Sequence, residues 1–274
     1  MQPEDLKEAM TSLPGPGFEA LIRPHTGDLA DIRPTARGNG SAFTGMVECS
    51  QGPFFVKAVP NRPGGRRDSL IREGLVNRFV QPISPALRWR AEDEAWVALG
   101  FEVINGRPSD FTPGSSDLPA IVEILNSIGQ LALPDIAHDW LETRWDRYAE
   151  DGDADLFRGD ALLYTDIHES NLLIGDRDTW AVDWSWPTRG AAFIDPALLV
   201  MQLIASGHDA EAAETWVSEC RAWKAADPAA VDAFAAATQR MWRERVERNP
   251  DTTWLKAMLV AAQEWAGHRG IVAG

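Results

Sequence analysis

Asp166 and Asn171 stand five positions apart in the run Asp166-Ile167-His168-Glu169-Ser170-Asn171, and Asp183 follows the next pair of short apolar runs. Transfer of a phosphoryl group calls for side chains of this kind. A carboxylate must take the proton of the attacking hydroxyl, and further oxygens must hold the Mg2+ ions that bridge nucleotide phosphates. Either Asp166 or Asn171 alone could simply cap a turn, because Asp and Asn side chains readily bond the local backbone. What favours chemistry is the ordered set on one frame. Leu162-Leu163, Leu172-Leu173-Ile174 and Trp180-Ala181-Val182 read as short strands separated by turns, so a loop and a hairpin bring three oxygen-bearing side chains to one place.

Asp-x-His-x-x-Asn, then a strand, then Asp183-Trp184, resembles the catalytic loop and metal-binding aspartate of the aminoglycoside and choline kinase-like phosphotransferases. The resemblance implies an α+β, two-lobed protein-kinase-like fold. Its N-terminal lobe is an antiparallel sheet with one main helix, and its larger C-terminal lobe is mostly helical. It further implies that Asp166 is the catalytic base, that Asn171 and Asp183 are Mg2+ ligands, and that Asp195, in Phe193-Ile194-Asp195-Pro196-Ala197, is a structural aspartate. The chain departs from the family at Tyr164, where a histidine is usual, which leaves the packing of the loop open.

Such an enzyme needs a lysine on an inner strand to hold the ATP phosphates, and a helical glutamate to hold that lysine. Lys57 closes the apolar run Phe54-Phe55-Val56, an odd place for a charge unless it is paired, and Glu73 lies on the helical stretch that follows. A strand-end lysine can also snorkel to the surface. The turn containing Gly38, Gly40 and Ser41 could let backbone amides approach phosphate, although an ordinary hairpin turn accounts for the same residues. Residues 101–107 resemble the inter-lobe connector, so the backbone of Glu102 and Val103 would meet an adenine edge, with Leu173 and Val182 as its apolar floor. The expected organisation is therefore 1–100 nucleotide-binding lobe, 101–107 connector and 108–274 catalytic and substrate-binding lobe.

Periodicity agrees with this division. Turn residues separate strand-like stretches between Asp31 and Pro60; Leu70, Ile71, Leu75, Val76, Phe79 and Val80 recur at helical spacing; and two more strands are expected within Ala86–Arg90 and Ala95–Ile104. Beyond Arg107, Leu118–Leu133 and most of Glu211–Gly267 are Ala-rich and helical in pattern.

The formal net charge of -15 disfavours nucleic acid and anionic membrane as partners. Two distant cysteines signal neither a disulfide framework nor a zinc site, and the polar start of the chain does not resemble a secretory signal, so a cytoplasmic protein is expected. Carboxylates crowd the stretch from Asp139 to Asp155. Glu150, Asp151 and Asp153 in this stretch, with Glu169 in the loop, could meet a cationic acceptor such as an amino sugar, or could form a solvated face. Aminoglycosides, other hydroxylated antibiotics, choline-like alcohols and sugars are all compatible acceptors, and the oligomeric state is open. A protein kinase is disfavoured by the short run from Asp183 to Asp195, which has no Ala-Pro-Glu signature. A catalytically silent nucleotide binder is disfavoured by the retention of Lys57, Asp166, Asn171 and Asp183.

Overall fold

The computed structural model of the protein describes residues 14, 16–35 and 42–271. The chain divides into two compact units, Met1–Asn105 and Gly106–Gly274.

In the first unit, helix α1 (Pro16–Thr26) precedes strands β1 (Leu29–Pro34), β2 (Phe43–Cys49) and β3 (Phe54–Pro60), helix α2 (Gly65–Val76), and strands β4 (Leu87–Glu92) and β5 (Trp96–Glu102). The strands form one antiparallel sheet in the order β1-β2-β3-β5-β4. Side chains alternate between the faces of a strand, so β3 serves two cores at once. Val56 and Ala58 join Phe43, Val47, Trp89 and Ala98 beneath Phe18 and Ile22 of α1. On the other side, Val59 joins Val97, Leu99 and Phe101 beneath Leu70 of α2. Cover on both faces explains why 54–59 reads as an almost unbroken apolar run. Trp89 lies so close over Gly100 that a Cβ there would sit 2.0 Å from the indole, and β4 shifts register between Leu87 and Trp89 at this point.

Helix α1 was not expected from the sequence. It is short and carries Pro24, and it is stabilised by burying Phe18 and Ile22, one turn apart and 0% exposed, rather than by helix propensity. The helix expected to run on to Val80 stops at Val76 and tightens into a 3-10 turn over Asn77–Phe79. Asn77 is the cause. Its buried side chain donates to the Pro85 carbonyl at 2.8 Å and accepts from the Leu87 amide at 2.7 Å, tying the chain down to the start of β4. Leu75, counted on the apolar face, is exposed, and Glu73 takes the inward position with Leu70 and Val76.

The second unit contains β6 (Arg107–Pro108), α3 (Leu118–Ile128), β7 (Ala161–Leu163), β8 (Leu172–Ile174), β9 (Thr179–Ala181), β10 (Thr188–Gly190), α4 (Ile194–Ala205), α5 (Ala210–Val217), α6 (Arg221–Lys224), α7 (Pro228–Arg248) and α8 (Thr253–His268). The strands form two small antiparallel sheets, β6-β8-β9 and β10-β7. Asp209 and Asp227 start α5 and α7 by accepting the amides of Ala212 and Ala229, as N-caps do. The acidic stretch between α3 and β7 forms 3-10 turns over Asp146–Tyr148 and Asp153–Phe157 rather than a longer helix. They are anchored to α7, where the rings of Trp145, Phe157 and Phe193 surround Phe234 with centroids 4.7, 5.5 and 5.7 Å away. Among the described residues, no helix is long and apolar enough to cross a membrane.

Candidate active site

Asp166 begins the loop between β7 and β8, and Asp183 follows β9 directly. The backbone is strained at both points. Thr165 and Asp183 have φ of 63° and 62°, the left-handed region that L residues other than Gly enter at a cost of about 1–3 kcal/mol each. Short-range tethers hold them there. The buried Asp195 carboxylate accepts the amides of Tyr164 at 2.9 Å and Thr165 at 2.8 Å, and the Thr165 hydroxyl donates to the Trp186 carbonyl at 3.3 Å. The Val182 amide bonds the Asn171 carbonyl at 2.9 Å, joining the end of β9 to the loop.

Within this frame the side-chain amide of Asn171 donates to both Asp166 Oδ2, at 2.8 Å, and the Asp166 carbonyl, at 3.2 Å. With its N–H groups spent on Asp166, the amide presents Oδ1 as its acceptor. Asp166 stays open to solvent on one side. Even so, desolvation by the surrounding protein and then the nearby charge of Asp183 raise its pKa above the ordinary carboxylate range, against smaller opposing effects of His168, Asn171 and Arg144. Two carboxylates and an amide oxygen in one place are hard donors suited to a divalent cation that also takes phosphate and water oxygens. Among the described residues no three His, Cys, Asp or Glu side chains form a metal cluster on their own, so these donors would supply only part of a coordination shell.

The Tyr164 departure has a structural consequence. Its ring is buried against Trp184, with centroids 4.7 Å apart, and its hydroxyl donates to the Val182 carbonyl immediately before Asp183. Tyrosine thus ties the loop of Asp166 to the strand that leads into Asp183. Neither this link nor the Asp195 clamp on Thr165 could be read from spacing alone.

Asp195 also makes a pH-dependent contribution. Burial pushes its carboxyl pKa up to about 6, against the two amide hydrogen bonds, which favour the anion. Since the folded value exceeds the ordinary 3.8, the folded state holds the proton more tightly, and this group's contribution to stability declines as pH rises from about 4 through 6. Asp195→Asn removes that titration. In urea unfolding at pH 5 and pH 7, the stability of wild type minus that of the variant is expected to fall by about 1 kcal/mol as pH rises. A pH-independent difference would show that Asp195 ionises normally.

Lys57 and Glu73, in the first unit, form a buried ion pair of 2.7 Å, with side chains 10% and 5% exposed. Glu102 ends β5, where its side chain accepts the Ala86 amide at 2.9 Å and pairs with Arg88, and Val103 is exposed. Leu173 lies on β8 paired with Trp180, and Val182 lies just past β9, both half-buried. Gly38, Gly40 and Ser41 fall outside the described residues. Of the acidic candidates, Glu169 and Asp151 are exposed, Asp153 opens a 3-10 turn, and Glu150 is engaged by Arg240 at 3.1 Å. Glu142, counted in the same acidic stretch, is buried. Burial alone would raise its pKa, but hydrogen bonds and charge from Arg144, with help from Thr188, hold it below the usual range.

No family model matches the sequence, and no curated protein does. Solved structures do match. Choline kinase LicA from Streptococcus pneumoniae aligns over 92% of this chain and 98% of its own at 12% identity, with a TM-score of 0.61. The macrolide 2'-phosphotransferase MphH from Brachybacterium faecium aligns over 90% and 97% at 16% identity and a TM-score of 0.52. An aminoglycoside phosphotransferase from Streptomyces rimosus aligns over 89% and 97% at 14% identity and a TM-score of 0.53. The chain therefore has the protein-kinase-like fold of these small-molecule phosphotransferases, with an antiparallel sheet unit followed by a mostly helical one, and the resemblance read from Asp166, Asn171 and Asp183 holds at the level of the fold.

Proposed function

We propose that this protein is an ATP- and Mg2+-dependent phosphotransferase acting on a hydroxyl of a small molecule. The observation that carries the reading is the Asp166 carboxylate. It is desolvated, crowded by Asp183, oriented by Asn171 and seated on a strained loop that Asp195 holds in place. A carboxylate with a raised pKa and one open side is suited to orient a hydroxyl and take its proton. Asn171 and Asp183 would hold Mg2+, which when bound supplies positive charge to the nucleotide phosphates. Lys57, fixed by Glu73, adds its own charge to those phosphates. Glu102 and Val103 would meet adenine through their backbone, Leu173 and Val182 would contact its faces, and the turn of Gly38, Gly40 and Ser41 would approach the phosphates. Among proteins of this fold, the Streptomyces rimosus enzyme holds ADP and streptomycin, and LicA holds AMP. The chain from β10 passes directly into α4, leaving little room for a peptide platform, which favours a small acceptor over a protein one.

ADP release measured across a panel of hydroxylated small molecules tests the reaction, and titration calorimetry of Mg-ATP tests the site. Asp183→Ala is expected to abolish Mg2+-dependent ATP binding. Unchanged affinity would remove Asp183 from the metal site, and absence of acceptor-dependent ADP release across the panel would leave a silent nucleotide binder.

A further inference from the structure

The phenol of Tyr164 touches the backbone beside both residues assigned to Mg2+. Its hydroxyl donates to the Val182 carbonyl, in the peptide that leads into Asp183, and lies 3.4 Å from the Asn171 carbonyl as a weaker second acceptor. The Val182 amide bonds that same Asn171 carbonyl at 2.9 Å, so phenol, loop and hairpin meet at one point. Tyr164 is 1% exposed, and its ring packs on Trp184. Trp184 in turn donates its indole N–H to the Ala181 carbonyl at 3.0 Å. Two aromatic donors thus pin the successive carbonyls of Ala181 and Val182.

This pinning bears on where the Asp183 carboxylate points. The Val182 carbonyl and the Asp183 amide share one rigid peptide plane, so holding the carbonyl fixes the plane from which Asp183 projects. Asp183 has a φ of 62°, a conformation that persists only where the surroundings over-determine it. The Ser185 hydroxyl then holds the carboxylate itself by donating to Oδ1. On the loop side, Asp195 accepts the Tyr164 amide at 2.9 Å, and the Asn171 side-chain amide is committed to Asp166, which leaves Oδ1 of Asn171 as its acceptor. Tyr164 is also where the chain departs from the family it resembles, and a phenol reaches further from the backbone than the usual imidazole.

We propose that Tyr164 is a positioning residue for the cation: by holding the carbonyls of Asn171 and Val182 together, its phenol sets the separation of the Asn171 and Asp183 donors before a cation arrives. The inference rests on the phosphotransferase reading, which makes that cation the Mg2+ that accompanies ATP. Groups that orient metal ligands without touching the metal commonly lower affinity by about ten- to a hundredfold when removed.

The test separates metal-dependent binding from stability. ATP is titrated calorimetrically in excess Mg2+ and again in EDTA. In Tyr164→Phe the affinity in Mg2+ should fall by about tenfold or more, while the affinity in EDTA stays within about twofold of wild type. Asp209→Ala, which removes the N-cap of α5, should lower the melting temperature and leave both affinities unchanged. In nucleotide-free protein the Val182 amide should exchange about tenfold faster or more in Tyr164→Phe. A further reading needs no change at this position. The chain has 2 tyrosines, so 3-fluorotyrosine labelling gives separate signals for Tyr164 and Tyr148, assigned with Tyr148→Phe. Adding Mg2+ to the ATP complex should move the Tyr164 signal and not that of Tyr148. An unchanged affinity in Mg2+ for Tyr164→Phe, an equal loss in Asp209→Ala, or a Tyr164 signal that Mg2+ leaves in place overturns the inference. A wild type that binds no ATP in either buffer refutes the phosphotransferase reading, and an unchanged Val182 exchange rate in Tyr164→Phe overturns the positioning role whether or not ATP binds.

Discussion

Asp166→Asn is expected to lower acceptor-dependent turnover by at least about a hundredfold, the usual contribution of a positioned general base, while the protein stays folded. The substitution is nearly isosteric, and the new side-chain oxygen can still accept the Asn171 amide that now sits 2.8 Å from Asp166 Oδ2. It also removes a desolvated negative charge that lies close to Asp183, so the melting temperature should hold steady or rise. A loss of rate without a loss of stability would locate the defect in proton transfer. The wild-type pH profile follows from the same carboxylate. The proposed base must work as the anion, and the pKa of Asp166 is raised, so the rate should climb with pH through a value above the ordinary carboxylate range and fall away below it. Turnover within a few-fold of wild type, or a profile flat from pH 4.5 upward, would take the role of base away from Asp166.

The part of the site legible in the sequence is the part built from local spacing. Asp166 and Asn171 meet because five residues of tight turn bring them together, with the amides of Asn171 and Leu172 both bonding the His168 carbonyl at 2.9 and 3.1 Å. Asp183 joins them because β8 and β9 form a hairpin. The Lys57 pair was legible for another reason, that a lysine in an apolar strand demands a partner. What could not be read depends on segments far apart in sequence. Asp195 reaches back 31 residues to the Tyr164 amide, and Thr165, a β-branched residue, adopts a left-handed conformation that only this clamp and the Trp186 carbonyl make tenable. The partners within the acidic stretch were hidden for a similar reason. Glu150 is engaged by Arg240, 90 residues further along the chain, and Glu142 and Asp146 pair with the nearer Arg144 and Arg158, whereas Asp139, Asp151 and Asp155 stay exposed. Helix α1 escaped notice because its information is tertiary, in Phe18 and Ile22 against a sheet formed later in the chain.

Lys57→Ala is expected to destabilise the sheet unit by about 3–5 kcal/mol, the typical cost of breaking a buried ion pair from one side. Lys57 Nζ sits 2.7 Å from Glu73 Oε1, and the two side chains are 10% and 5% exposed, so water cannot replace the missing ammonium. The lysine stem and charge also lie against Phe101, 5.9 Å from its ring centroid, within the cluster of Val59, Leu70, Val97 and Leu99. Glu73→Ala should also be costly, because it removes the carboxylate that lies 2.7 Å from a buried ammonium. The double variant Lys57→Met/Glu73→Leu should recover most of the loss, since two apolar side chains of similar volume avoid the desolvation that the ion pair must offset. Hydrogen exchange of the β3 and β5 amides reads this unit by itself, and a double-mutant cycle on those rates gives the coupling between the two residues. Recovered stability without recovered Mg-ATP binding in the double variant is the outcome expected from the proposed role of Lys57, which is to present its charge to phosphate. If the single variants exchange as slowly as wild type, the buried pair contributes little to holding α2 against the sheet. If the double variant binds Mg-ATP normally, Lys57 has no part in holding the nucleotide.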